Sequence, residues 1–172
     1  LGREESMSTI QLDFAAQECF DLTFVDETGG ENNNLFVIHR APLSTHERFI
    51  AFLTEHWAGN FPTWLSPIQA QVITISEKQN EYGGKVAETL EKAGVRTKTD
   101  FSDNTIGKKI RVHRKMSPVY MLIIGEEESK KKTVAIRNRA GKQRNDVALN
   151  DFVKEILEEI KNRSVELKIV PS

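Results

Sequence analysis

Two short runs, AQVITIS (residues 70–76) and VYMLIIG (residues 119–125), carry apolar side chains on both faces of an extended chain. Strands of that kind cannot leave a face to water and need a layer above and below them. The surrounding residues supply those layers. Ser76 with Gln79 is a capping-box signature, opening a helix with Tyr82, Val86, Leu90 and Ala93 on one face, and Gly94 ends it. VRTKTD then reads as a short strand, NTIGKKIRVHRKM as a basic helix with Ile106, Ile110 and Met116 in register, and KTVAIRN as a strand after VYMLIIG. A last helix begins near Asn150, with Phe152, Val153, Ile156, Leu157 and Ile160 on one face and Asp151 and Glu155 near its positive end. The order strand, helix, strand, helix, strand, strand, helix is that of a layered α/β domain with a mostly parallel sheet and right-handed crossovers. EEESKKK (residues 126–132) reads as a solvated turn between two strands.

Before FPTWLSP (residues 61–67) the pattern differs. The two prolines there push their preceding residues away from helix, which marks an ordered linker. STIQLDF and LFVIHRA read as strands, and DETGGENNN between them as a turn. Ser44-Thr45-His46-Glu47 reads as a capping box for a helix that buries Phe49, Ile50, Phe52, Leu53 and Trp57 on one face. Arg48 is out of place in that helix, because a first turn carries about half a positive charge and disfavours a cation unless an anion meets it. The residues alone leave open a simple pairing of Arg48 with Glu47 or solvent. The expected division is residues 1–66 and residues 67–172.

A formal net charge of -1 gives no global pull toward nucleic acid, so any such binding must rest on local basic patches. The single Cys19 excludes an internal disulfide and a cysteine-rich zinc site, and fits a reducing compartment. No apolar run approaches the roughly 18 residues that span a membrane, so a soluble, cytoplasmic chain is expected. It opens on Leu1 rather than Met, with strand-like residues close behind, and is expected to be an excerpt of a longer polypeptide. There is no phosphate-cradling glycine loop, no nucleophile elbow and no His-Glu-x-x-His pair. His39, His46, His56 and His113 are not spaced to close a metal site on one helix face.

Longer patterns add a resemblance. VIHRAPLSTHERFIAFLTEHWAGNFPTWLSPIQ resembles the third signature motif of threonyl-tRNA synthetases and the junction into their anticodon-binding domain. STIQLDF resembles a motif those enzymes place on their catalytic sheet, and IGKKIR, YMLIIG and the glutamate and arginine that follow resemble their C-terminal domain. The resemblance covers essentially the whole chain, and HRA-x-L-x-x-x-ERF is its most specific part. It implies the end of an antiparallel class II catalytic sheet over residues 1–66, then a three-layer α/β anticodon-binding domain with a mixed, mostly parallel sheet over residues 67–172. The implied function is ATP-dependent activation of threonine and its transfer to tRNA(Thr) by the intact enzyme, a class II ligase, with this chain inactive alone.

The same resemblance assigns roles. Arg48 matches the motif 3 arginine that contacts ATP, for which a flat, always-charged guanidinium is suited. Thr9, Gln11 and Thr45 match positions at the threonine and adenylate pocket. His39 matches one of three zinc ligands of the intact enzyme, where zinc binds the amino and hydroxyl groups of threonine and so rejects valine. Ile75, Asp103, Arg111, Glu128 and Arg137 match anticodon-reading positions, and Lys108, Lys109, Arg114 and Lys115 are expected to meet backbone phosphate or water. Implied partners are tRNA(Thr), threonine, ATP with Mg2+, and a second copy in a homodimer, with no membrane. The chain departs from the family at Ser6, Met7, Gln17, Cys19, Ser44, Asp103 and Val119, and lacks motifs 1 and 2. Two alternatives stay open: a stand-alone tRNA-binding module using residues 68–168, and a related class II synthetase for proline, histidine or glycine, which the histidine of HRAPL disfavours.

Overall fold

The computed structural model describes residue 4 and residues 6–170. The chain forms two compact units, Leu1–His56 and Trp57–Ser172. In the first, β1 (Thr9–Asp13) pairs antiparallel with β4 (Val37–Ala41), so that Thr9 faces Ala41 and Gln11 faces His39. Between them lie a short helix α1 (Ala16–Phe20) and a small hairpin of β2 (Phe24–Val25) and β3 (Glu31–Asn32). Helix α2 (His46–His56) follows.

Ala16 is the one buried apolar residue of this unit among the described residues, while Ile10, Leu12, Ile38, Ile50 and Phe52 are exposed. The expectation that α2 buries its apolar face is therefore corrected. A two-stranded ribbon has too little surface to cover a helix and its own outer face at once. The cap is corrected as well: the Arg48 amide donates to Thr45 Oγ1 at 3.4 Å, which makes Thr45 the capping residue, and Ser44 sits in the left-handed region at φ 60°.

The second unit is built on a five-stranded sheet in the order β6 (Thr97–Asp100), β5 (Ala70–Thr74), β7 (Tyr120–Ile124), β8 (Thr133–Asn138), β9 (Gln143–Ala148). β6, β5 and β7 run parallel, β8 runs against them, and β9, antiparallel to β8, runs with the first three. From β5 the chain steps outward to β6 through α3 (Asn80–Lys92), then back past β5 to β7 through α4 (Ile106–Arg114). Two right-handed crossovers in opposite directions put their helices on opposite faces. Val86 and Leu90 of α3 accordingly share a core with Val72, Leu122 and Ile136, and with Phe152 and Ile156 of α6 (Leu149–Lys161). All five residues of β5 and of β7 are buried, as their composition requires.

Local chemistry sets the ends of these elements. The Lys78 amide donates to Ser76 Oγ and the Ser76 amide to Gln79 Oε1, opening a 3-10 turn (Glu77–Gln79) that leads into α3. Gly94, at φ 83°, ends α3 where a side chain would strain the backbone. EEESKKK is not a turn but a short helix, α5 (Glu126–Lys131), with Glu126–Lys130 and Glu127–Lys131 ion pairs one turn apart. The segment expected as a linker packs within the second unit: Thr63 Oγ1 donates to the buried Glu159 carboxylate, and Arg96 donates to the Trp64 and Ser66 carbonyls. Val119, one of the family departures, is fully buried, with its amide on the Ile68 carbonyl. Among the described residues no helix is long and apolar enough to cross a membrane.

Candidate nucleic-acid interface

The point where connections leave in opposite directions lies between β5 and β7, and ligands of open α/β sheets bind there, outside the carboxyl ends of the strands. Ile75 follows β5 and Gly125 follows β7, and the Ile75 amide donates to the Ile124 carbonyl at 2.9 Å. Gly125 has no side chain for a reason. A Cβ there would lie 2.9 Å from Glu128 Oε2 and 3.0 Å from Ile75 Cδ1. The half-exposed Ile75 side chain thus lies beside the Glu128 carboxylate, which accepts the Gly125 amide through Oε2 at 2.9 Å. Asp103 is exposed after the carboxyl end of β6, the third parallel strand. The structure therefore sets Ile75, Asp103 and Glu128 at the ends of three adjacent strands.

Arg137 and Arg111 lie elsewhere. Arg137 pairs in register with Met121, three residues before Ile124, so its backbone is about 10 Å down the sheet from the end. It alternates with the core-facing Val134 and Ile136 and so takes the other face, the one α4 covers. Arg111 is exposed on α4. Lys109 corrects the expectation of a solvated helix lysine: it is 2% exposed, and its Nζ donates to the Thr74 carbonyl at 2.8 Å, fastening α4 to the end of β5. His113, one turn on, bonds Asp100 at 2.6 Å and fastens α4 to β6. Burial works to raise the Asp100 pKa, but hydrogen bonds from the Ser102 hydroxyl and amide and from His113 outweigh it and hold the carboxyl at about 2.

Glu159 went unforeseen in the sequence. It is 2% exposed and takes hydrogen bonds from Thr63, from the Tyr120 hydroxyl at 2.9 Å and from the Lys168 amide at 3.1 Å. Burial and this carboxylate together push the Tyr120 hydroxyl far above its ordinary pKa. The cluster ties the segment before the sheet and the segment after α6 to β7. Its only sequence signal was an acidic residue one turn after Ile156 on an apolar helix face.

In the first unit, residues directly opposite in an antiparallel pair share a face. Thr9, Gln11 and His39 therefore stand together, beside an open hollow of about 810 Å3 lined in part by Gln11, Asp13 and His39. His39 Nε2 bonds Asp13 Oδ2 at 3.0 Å, and that bond, with the Ala16 amide, lowers the Asp13 pKa. A catalytic zinc needs three protein ligands and an open position. Among the described residues no group of three candidate ligands exists, so the donors of this chain do not by themselves complete a zinc site. Arg48 is exposed on the first turn of α2, and Thr45 is engaged with its amide.

Residues 69–159 match the anticodon binding domain family. Over 163 residues, 95% of its length, the chain is 45% identical to a threonine–tRNA ligase of Acetivibrio thermocellus, and over 162 residues it is 44% identical to that of Halalkalibacterium halodurans. It spans about a quarter of those relatives, 26% and 25% of their lengths. The solved RNA binding domain of threonyl-tRNA synthetase from Cryptosporidium parvum matches 97% of this chain with a TM-score of 0.74 and 36% identity, through 41% of its own chain.

Proposed function

This chain belongs to the anticodon binding domain family, and from that premise we propose that it is the carboxyl-terminal part of a threonine–tRNA ligase and reads the anticodon of tRNA(Thr). The observation that carries the reading is the meeting of Ile75 and Glu128 over Gly125 at the strand ends. Unstacked anticodon bases expose their Watson–Crick edges and need an apolar surface plus acceptors and donors. Ile75 offers the surface. Glu128 keeps Oε1 to accept from a base such as guanine, its Oε2 being held by the Gly125 amide. Arg137 and Arg111 supply donors along the α4 face, and Asp103, where the family has asparagine, only accepts when ionised.

Residues 1–66 are the end of the catalytic core in this reading, and residues 67–172 the anticodon-binding domain, with residues 57–66 strapped onto it. The longer protein activates threonine with ATP and Mg2+ and transfers it to the tRNA. Thr9 and Gln11 stand on the face that receives threonine and adenylate, Thr45 holds the helix start, and Arg48 presents its guanidinium to ATP. His39 is the residue here that would ligate zinc, once residues beyond this chain complete the set. In the same reading the longer protein is a cytoplasmic homodimer.

Chemical probing of base edges on a tRNA(Thr) transcript bound to this chain tests the proposal. Protection concentrated at the anticodon is expected. Protection spread evenly along the tRNA, or confined to its acceptor stem, would contradict it.

A further inference from the structure

Arg139 lies two residues beyond Arg137, just past the end of β8, and Arg114 lies one helical turn beyond Arg111. Residues three apart on a helix share a face, so Arg111 and Arg114 stand on one side of α4, while Arg139 sits in the turn that follows β8. Arg114 and Arg139 both line a cavity of about 370 Å3, together with Asn60, Pro118 and Met121 among others, none of them acidic. Met121 is the register partner of Arg137, so this cavity lies on the same face as Arg137, at the end of the sheet opposite Ile75 and Glu128.

The cavity's two cations differ in freedom. Arg139 is half-buried and fixed, its Nη2 donating to the Phe61 carbonyl at 2.7 Å, whereas Arg114 is exposed. Glu159 is within electrostatic reach of Arg139 and favours its charged form, while its oxygens take hydrogen bonds from Thr63, Tyr120 and the Lys168 amide. A half-desolvated guanidinium beside a second one, over an apolar floor of Pro118 and Met121, matches a phosphodiester and its sugar better than a free carboxylate or an apolar ligand.

We propose that this cavity is a phosphate subsite, in which Arg114, Arg139 and the Asn60 side-chain amide hold a backbone phosphate of the same RNA strand whose bases meet Ile75, Glu128 and Arg137. It rests on the anticodon reading above and extends it down the sheet. The subsite fixes the strand's register without reading sequence.

The test uses the full chain, with one anticodon stem-loop carrying the threonine anticodon and one with those bases replaced, titrated by fluorescence anisotropy over a range of salt concentrations. Arg114→Gln is expected to weaken both RNAs by the same factor and to flatten the slope of log K against log salt by about 0.7, the value for one phosphate of a single strand. Arg114→Lys, which keeps the charge, is expected to restore the slope. Melting curves confirm that the exposed Arg114 can be replaced without unfolding. An unchanged slope in Arg114→Gln would overturn the subsite. Equal binding of the two RNAs by the wild-type chain would instead overturn the anticodon reading, so the two failures are told apart.

Discussion

Gly125→Ala separates folding from recognition at the strand ends. The backbone there is extended, at φ −107° and ψ −166°, which alanine adopts freely, so the consequences come from the added methyl. Its nearest neighbours, at 2.9 and 3.0 Å, would be Glu128 Oε2 and Ile75 Cδ1, both at the far ends of flexible side chains that can swing aside. Losing the Glu128 bond to the Gly125 amide costs about 1 kcal/mol, and the poorer cap about as much again. The stiffer unfolded chain returns roughly 0.4–1 kcal/mol, leaving a modest net destabilisation of about 1 kcal/mol. Displacing a base-reading acceptor costs more, on the order of 1–3 kcal/mol, or roughly 5- to 150-fold in affinity. Thermal melts should therefore shift by only a few degrees, while the dissociation constant for the threonine anticodon stem-loop rises well beyond that for a stem-loop with other anticodon bases. An unchanged dissociation constant in a folded variant would refute the placement of Ile75 and Glu128 against bases.

Other outcomes follow from particular contacts. Asp100 titrates at about 2 in the folded chain against 3.8 ordinarily, so its contribution is present above about pH 4 and is lost as the pH falls toward 2; acid melts should show roughly 2 kcal/mol of this, absent in Asp100→Asn. Gly83→Ala would place a methyl 2.8 Å from Thr74 Cγ2 and 2.9 Å from Phe101 Cε1, where α3 meets β5, and should cost about 1–3 kcal/mol in urea unfolding. In the longer protein, Arg48→Lys should reduce ATP–pyrophosphate exchange by at least about tenfold while leaving the melting temperature unmoved, because lysine keeps the charge and loses the planar fork.

The sheet and its main helices were legible because their signals were local. β5 and β7 are apolar without interruption, and α3 carries both its cap and its terminating glycine. α5 also had a local signal, glutamates four residues before lysines, which a reading of opposed charges as a turn passed over. β9 had almost none. Its residues QRNDVA are polar at an edge of the sheet, with Val147 alone buried, and its pairing with β8 shifts register between Val134 and Ile136. The apolar residues of α2 fall on one face, but what covers that face is not set by the helix itself.

In the candidate site, the residues at strand ends could be placed from sequence because the topology puts every βα junction at one edge of the sheet. The buried charges could not. Lys109 falls on the sheet-facing stripe of a helix whose neighbouring lysine is exposed, and only the Thr74 carbonyl, 35 residues away, explains its burial. Glu159 depends on Thr63, 96 residues away, and Tyr120, 39 residues away. Pairings at that separation leave no periodic trace. Arg139 was likewise hidden, since its place beside Arg114 follows from β8 turning back against β7.

The central claim is that this chain distinguishes one anticodon from others. The most direct measurement is the ratio of dissociation constants for full-length tRNA(Thr) transcripts with the threonine anticodon and with its three bases replaced, at one fixed salt concentration. Base contacts worth 1–3 kcal/mol each predict a preference of at least about tenfold for the threonine anticodon. Equal affinity for the two transcripts would contradict the account, leaving Ile75, Glu128 and Arg137 without a base to read.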